Sequence, residues 1–197
     1  MAERSLGDPA GTLIVVLGPS GSGKDTIIDF ARETLRGRSD VLFVRRVVTR
    51  DAAVQAEDHD TLDEAAFLAA EQAGAFAFTW RAHGLSYGLP SSMDGHLASG
   101  GIAIANGSRA TLPDLRRRYP TLVPVTLAVA PDVLAARIAA RGRESQAEIA
   151  ARLQRAERFA LDTPDLTIID NNGAPEIAGR AFVRLIEQVS ARNPAIA

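Results

Sequence analysis

The chain of 197 residues contains no cysteine. That absence excludes a disulfide framework, a thiolate metal site and a cysteine nucleophile. Aromatic residues are scarce, at 5%, with a single tryptophan, Trp80. Neither sign of charge dominates: 22 Lys and Arg stand against 24 Asp and Glu, for a net −2. Nothing therefore suggests a global nucleic-acid or membrane-binding surface. No apolar run approaches a membrane span. Met1 to Gly11 is polar and lacks a signal-peptide core, so the expectation is a cytoplasmic protein. Internal repeats, low-complexity linkers and a Ser/His/Asp set are also missing. What is present, 46% hydrophobic and 23% charged residues, suits one domain with a full core.

The richest local signal is residues 13–26, Leu-Ile-Val-Val-Leu-Gly-Pro-Ser-Gly-Ser-Gly-Lys-Asp-Thr. Leu13 to Leu17 is a short apolar run suited to a central parallel strand. The spacing Gly18-x-x-x-x-Gly23-Lys24 is that of a phosphate-binding P-loop. Gly18, Gly21 and Gly23 allow backbone angles that a Cβ forbids, and let amides converge on an anion. The helix that follows adds its N-terminal partial charge, and Lys24 a full one for the β- and γ-phosphates. Ile27, Ile28, Phe30, Ala31 and Leu35 give that helix its apolar face, and Gly37 stands where a C-terminal cap belongs. The predicted ATP-binding segment is Gly18, Pro19, Ser20, Gly21, Ser22, Gly23, Lys24, Asp25 and Thr26.

One position departs from the pattern. Asp25 stands where a Ser or Thr ordinarily binds Mg²⁺. A carboxylate can take that ion directly or through water, which makes Asp25 a candidate metal ligand. Thr26 lies about 100° further round the helix and is no simple replacement.

Beyond the loop, strands alternate with helical stretches, the pattern of an α/β fold with a parallel sheet. Val41 to Val48 reads as the second strand. Thr61-Leu-Asp-Glu64 reads as a capping box opening a helix to about Ala73. Ala75 to Trp80 and Leu85 to Tyr87 read as short strands around Ala82-His83-Gly84. With Phe76, Phe78, Trp80 and Tyr87 concentrated there, this middle stretch looks like a small inserted lobe. Strands follow at Ile102 to Ala105, Val123 to Val129 and Leu166 to Ile169. The intervening helices are Thr111 to Tyr119, Asp132 to Ala140 and one opened by the capping box Ser145-Gln-Ala-Glu148, which runs to about Ala160. Ala174 to Val189 is the last helix, and Asn193 to Ala197 a frayed tail. Ligands of such sheets sit at the carboxyl ends of strands. Gly18, Thr49-Arg50, Asn106-Gly-Ser-Arg109 and Asp170-Asn171-Asn172 all follow strand ends and are candidates for one crevice.

Arg46 and Arg50, with Arg45 beside them, are apt anion clamps, because guanidinium forks match phosphate oxygens. Arg141 and Arg143 flank Gly142 between two helices, where an arginine hairpin could close over a triphosphate. Arg137 and Arg152 are lesser candidates for the same task. Glu57-Asp58-His59-Asp60 fits a metal or substrate hydroxyl equally with a solvated acidic loop. His83 fits a structural turn better than catalysis. Tyr87 fits a phosphate contact or a small core, and Arg116-Arg117-Arg118 a solvated helix face.

Taken together, the segments Gly18 to Asp25, Arg46-Val-Val-Thr-Arg50, Glu57-Asp-His59, Trp80 to Gly88, Asn106-Gly-Ser-Arg109, Arg141-Gly-Arg-Glu144 and Asp170-Asn-Asn-Gly173 resemble the guanylate-kinase branch of the P-loop nucleotide kinases. Within that branch they are similar to the ribose 1,5-bisphosphate phosphokinases of phosphonate breakdown. Lys24-Asp25 and Asn106 to Arg109 are the most selective of them.

The resemblance implies a three-layer P-loop nucleotide-kinase fold over residues 1–197. Its parts would be a core over about 11–44 and 100–192, an acceptor lobe over about 45–95 and a lid over about 140–148. It further implies transfer of the ATP γ-phosphoryl group, with Mg²⁺, to ribose 1,5-bisphosphate. Lys24, Arg141 and Arg143 would be catalytic; Arg46, Arg50, Tyr87 and Arg109 would bind the acceptor. Guanylate kinases carry a Ser or Thr after the Tyr-Gly pair to help read guanine. Here Tyr87-Gly88 is followed by Leu89-Pro90. Two alternatives remain at this stage: a GMP kinase, and a guanylate-kinase-like binding module that has lost catalysis.

Overall fold

The computed structural model describes residues 11–19, 21–50, 59–82, 84–140, 163 and 165–192. In chain order the elements are β1 (Thr12–Leu17), α1 (Lys24–Thr34), β2 (Val41–Phe43), β3 (Val47–Val48), β4 (Asp60–Thr61), α2 (Glu64–Gln72), β5 (Phe76–Ala82) and β6 (Leu85–Pro90). Then come α3 (Ser92–Ala98), β7 (Ile102–Asn106), α4 (Leu112–Arg118), β8 (Leu122–Ala128), α5 (Pro131–Ala140), β9 (Thr167–Asp170) and α6 (Pro175–Ala191).

Five strands make a wholly parallel sheet in the order β2-β7-β1-β8-β9. Its centre is β1, and the alternation of that strand divides the core. Ile14 and Val16 face a cluster with Ile27 and Ala31 of α1 and Phe182 and Ile186 of α6. Leu13, Val15 and Leu17 face a second cluster with Leu89 of β6, Met93 and Leu97 of α3, and Leu112 and Leu115 of α4. A strand covered on both faces reads as the continuous apolar run seen in the sequence. Helices α1 and α6 pack closely: a Cβ at Gly179 would lie 2.5 Å from the Phe30 ring.

A second sheet has the order β4-β3-β6-β5 and is mainly antiparallel. It contains the aromatic-rich stretch. Phe67 of α2 stacks on Phe76 at 4.7 Å between ring centroids, and Gly88 leaves room for Phe76, whose ring a Cβ there would meet at 2.6 Å.

Three local expectations change. The strand expected over Val41 to Val48 is two strands in different sheets. Val44 still donates to Ile104 O at 2.8 Å, but the parallel register ends at Phe43 opposite Ile104, two residues short of the end of β7. The chain crosses instead to the second sheet. The helix expected to be capped by Thr61 is capped by Asp63, whose carboxylate accepts from Ala66 N at 2.7 Å. Thr61 is committed to β4, paired beside Val48. Helix α3 carried no strong sequence signal, because only Met93 and Leu97 are buried in it and Gly95 interrupts it. The Ser145 capping box and its helix lie outside the described residues.

Candidate active site

Strand β1 delivers the chain into the glycine loop. Gly21 and Gly23 both have φ +91°, which a side chain would strain, and Gly18 has φ +150°. Ser22 N donates to Pro19 O at 3.2 Å, forming the turn. Gly23 is the N-cap of α1 and supplies no side-chain cap to the first turn of that helix, the end at which anions are ordinarily bound. Lys24 Nζ donates to the carbonyls of Gly18 and Pro19 at 3.0 and 3.1 Å. The loop thus holds its own lysine at the rim. Thr26 is exposed, and Ser20 lies outside the described residues.

The end of β9 braces this loop. Asn171, buried, donates from Nδ2 to Ser22 O at 2.7 Å, and its backbone N donates to Ala128 O at 2.9 Å. A Cβ on Gly23 would lie 2.6 Å from that Nδ2. From the other side, Leu134 and Ile138 of α5 approach Gly21, where a Cβ would meet each at 3.2 Å. Asp170 Oδ1 accepts from Asn172 N at 3.1 Å, and Asn172 Oδ1 accepts from Ala130 N at 2.6 Å. Asp170 to Asn172 therefore act as a scaffold joining two strand ends to the loop. Arg137 donates to Gly173 O at 3.4 Å and belongs to this scaffold.

At the end of β7, Asn106 Nδ2 donates to Asp25 Oδ1 at 2.8 Å. The two most selective sequence features are in direct contact. Gly107 follows because a Cβ there would lie 2.4 Å from Val15 Cγ2. Half-buried Arg109 then opens a 3₁₀ turn, closed by Thr111 Oγ1 donating to Ser108 O at 2.7 Å. Asp25 and Asn106 are oxygen-bearing groups suited to a hard cation. Among the described residues no group of three or more His, Cys, Asp or Glu gathers to hold a metal. One carboxylate supplemented by phosphates and water is the way Mg²⁺ is ordinarily held, so these residues fit the ion.

In the second sheet, the Arg46 guanidinium lies over the Tyr87 ring at 5.7 Å. Tyr87 in turn stacks on Trp80, its cross-strand partner, at 5.0 Å and 6°. Tyr87 thus contacts both a cation and an indole. Arg45 turns elsewhere, with Nε 2.8 Å from Asp60 Oδ1. Arg50 lines a cleft with Thr49, Thr61, Asp63, Glu64 and Gly84. Glu64, expected to serve a capping box, accepts instead from buried Ser86 Oγ at 3.0 and 3.2 Å.

Of the acidic quartet, Asp60 is paired with Arg45 and His59 is buried, while Glu57 and Asp58 lie outside the described residues. So do His83, Arg141, Arg143 and Arg152. Arg116, Arg117 and Arg118 lie on α4 at the surface, but each is paired: with Asp165, Asp114 and Asp94 respectively.

A glycine loop and lysine between the central strand of a parallel sheet and its following helix define a P-loop nucleotide-binding fold. The fold is similar to that of guanylate kinase from Anaplasma phagocytophilum, with a TM-score of 0.65 over 94% of this chain and 88% of that one, at 16% identity. Over 185 residues the sequence is 46% identical to the ribose 1,5-bisphosphate phosphokinase PhnN of Brucella melitensis, covering 94% of this chain and 96% of that one. It is 44% identical over 176 residues to the enzyme of the same name from Agrobacterium fabrum, covering 89% and 96%. No family model matches the chain. The chain belongs to the ribose 1,5-bisphosphate phosphokinase (PhnN) family.

Proposed function

We propose that this protein transfers the γ-phosphoryl group of ATP to ribose 1,5-bisphosphate, giving 5-phosphoribosyl 1-diphosphate and ADP. The observation that carries the proposal is the near-full-length identity to relatives that bear that name. An oxygen of the sugar's 1-phosphate forms a bond to the γ-phosphorus, and the bond from that phosphorus to the oxygen bridging it to the β-phosphate breaks. A phosphate dianion is nucleophilic near neutral pH, so the step needs no strong general base. Assembling several anionic phosphates is the harder task, and positioning with positive charge carries most of phosphoryl-transfer catalysis.

Lys24 and the loop amides from Gly18 to Thr26 bind the triphosphate. Arg46, Arg50 and Arg109 hold the phosphates of the acceptor, with Tyr87 supporting Arg46. Arg141 and Arg143 close over the transferring group. Asp25 is the residue that would hold Mg²⁺, which supplies charge neutralisation at the β- and γ-phosphates when bound. The 45–95 segment serves as acceptor lobe and about 140–148 as lid, in a cytoplasmic enzyme. Leu89 stands where guanylate kinases carry a guanine-reading hydroxyl, and it is buried in the apolar core. That favours a small phosphorylated sugar over GMP.

The test offers ATP and Mg²⁺ with ribose 1,5-bisphosphate, ribose 5-phosphate and GMP in parallel, with phosphorus NMR detecting any new diphosphate linkage. Turnover of the bisphosphate alone is expected. Preference for GMP, or no turnover of any acceptor, overturns the proposal. Lys24→Ala and Arg50→Ala are each expected to lower turnover by orders of magnitude without unfolding the protein.

A further inference from the structure

P-loop enzymes commonly hold Mg²⁺ with two chemical types, a hydroxyl on the loop and a carboxylate from elsewhere in the core. In this chain the carboxylate is on the loop, at Asp25. Strand β7, hydrogen-bonded alongside β1, ends on a neutral amide, Asn106. The two side chains are 81 residues apart in sequence and 2.8 Å apart in space. We propose that Asp25 and Asn106 form an exchanged pair, with the metal-facing carboxylate moved onto the loop and Asn106 acting as its positioning residue. The proposal rests on the assignment of Asp25 to Mg²⁺.

Three observations carry it. First, the direction of the contact is fixed by chemistry: an amide N–H donates and a carboxylate accepts. A donor on one oxygen sets the plane of the carboxylate, which is how groups behind a metal ligand orient it. Second, Asn106 is only 9% exposed. A second carboxylate at this distance would face Asp25 with little solvent screening, and two such groups cannot both stay ionised cheaply. An acid at position 25 therefore calls for a neutral donor at 106. Third, Asn106 Oδ1 is buried and lacks a hydrogen-bond partner among the described residues. A native buried acceptor of this kind is normally satisfied, and the water shell that Mg²⁺ usually retains would supply the missing donor.

The test uses the full-length protein with ADP and Mn²⁺ as a paramagnetic stand-in, bound ion being counted by EPR. Asp25→Ser and Asn106→Ala are each expected to weaken Mn²⁺ binding to the ADP complex by about tenfold, the scale seen when a group behind a ligand is lost. ADP binding in EDTA should not weaken in either variant, since Asp25→Ser only removes a like charge from beside the phosphates, and the thermal midpoint without ligand should stay close to wild type. In the Asp25→Ser background, Asn106→Ala should have a smaller effect than it has in the wild type. Asn106→Asp in that background should recover most of the loss, because it rebuilds the ordinary hydroxyl-carboxylate arrangement.

Wild-type Mn²⁺ affinity in Asp25→Ser removes Asp25 from the ion and overturns the pair with it. A weakened Asp25→Ser that Asn106→Asp does not improve overturns the exchange alone. Equal losses with and without metal would make Asn106 a structural residue only. None of these readouts involves the acceptor, so they stand apart from the identity of the phosphorylated sugar.

Discussion

Asn171 and Ser22 join the last strand of the sheet to the middle of the phosphate loop, through an amide N–H that meets a backbone carbonyl at 2.7 Å. The bond closes across 149 residues of chain. Removing it in Asn171→Ala leaves the Ser22 carbonyl without its buried donor, a loss of about 1–3 kcal/mol. Both the thermal midpoint and ADP affinity should fall, the latter visible by calorimetric titration. Asn171→Asp should be worse than Ala, since a carboxylate would face the carbonyl. Gly23→Ala should match it, having both the positive φ and the 2.6 Å approach to overcome.

Trp80 is the only tryptophan in the chain, and it sits one ring away from Arg46. Its emission should therefore change when a phosphorylated acceptor engages Arg46, with no background from other indoles. Arg46→Ala should abolish the change. A stacked aromatic pair contributes about 0.5–1.5 kcal/mol beyond its area. Trp80→Ala should accordingly raise the acceptor KM severalfold while leaving the ATP KM unchanged, and Trp80→Phe should restore most of it. Equal effects on both KM values would exclude this positioning role.

Gly179→Ala sets two effects against each other. Alanine improves helix propensity by about 1 kcal/mol. Its Cβ would, however, lie 2.5 Å from Phe30 Cδ1 and 3.1 Å from Phe30 Cβ, so the whole residue must move rather than its far end alone. Overpacking of that kind costs about 1–3 kcal/mol. The variant should be less stable than wild type by urea denaturation, despite the better helix former.

Tyr119 donates to Asp94 Oδ1 at 2.8 Å and accepts from Arg118 Nε at 3.1 Å. Burial is the main cause that pushes its hydroxyl up to about 12 from an ordinary value of 10.0. The unfolded chain loses this proton first. The stabilisation is thus fully present below pH 10 and is lost as pH rises toward 12. Tyr119→Phe should flatten that part of the alkaline decline, measured as denaturation midpoints at pH 8 and pH 11. An unchanged slope would show that Tyr119 does not carry it.

Local, contiguous signals were legible and contacts across the chain were not. The loop from Gly18 to Asp25 needs only neighbouring residues to be recognised, and β1 declares itself by an unbroken apolar run. The change of sheet between Phe43 and Val47 is invisible to strand propensity, because both halves favour extended chain. Asp25 and Asn106 each stood out by residue type, but nothing local says that they touch. Glu64 was legible as a helix-start acid, while its partner, Ser86, lies 22 residues away. Asn171 carried the weakest warning of its role: it stood at a strand end, and only the folded chain brings it under the loop.

The crossing from β2 to β3 takes three residues, Val44 to Arg46, and spans the two sheets. Arginine thus occupies the joint of the molecule rather than one of its walls. The second sheet is also anchored through Ala77 and Leu89, which share a core cluster with β1. On the proposed function, an acceptor phosphate held by Arg46 would be held at a chain crossing that belongs to both sheets at once.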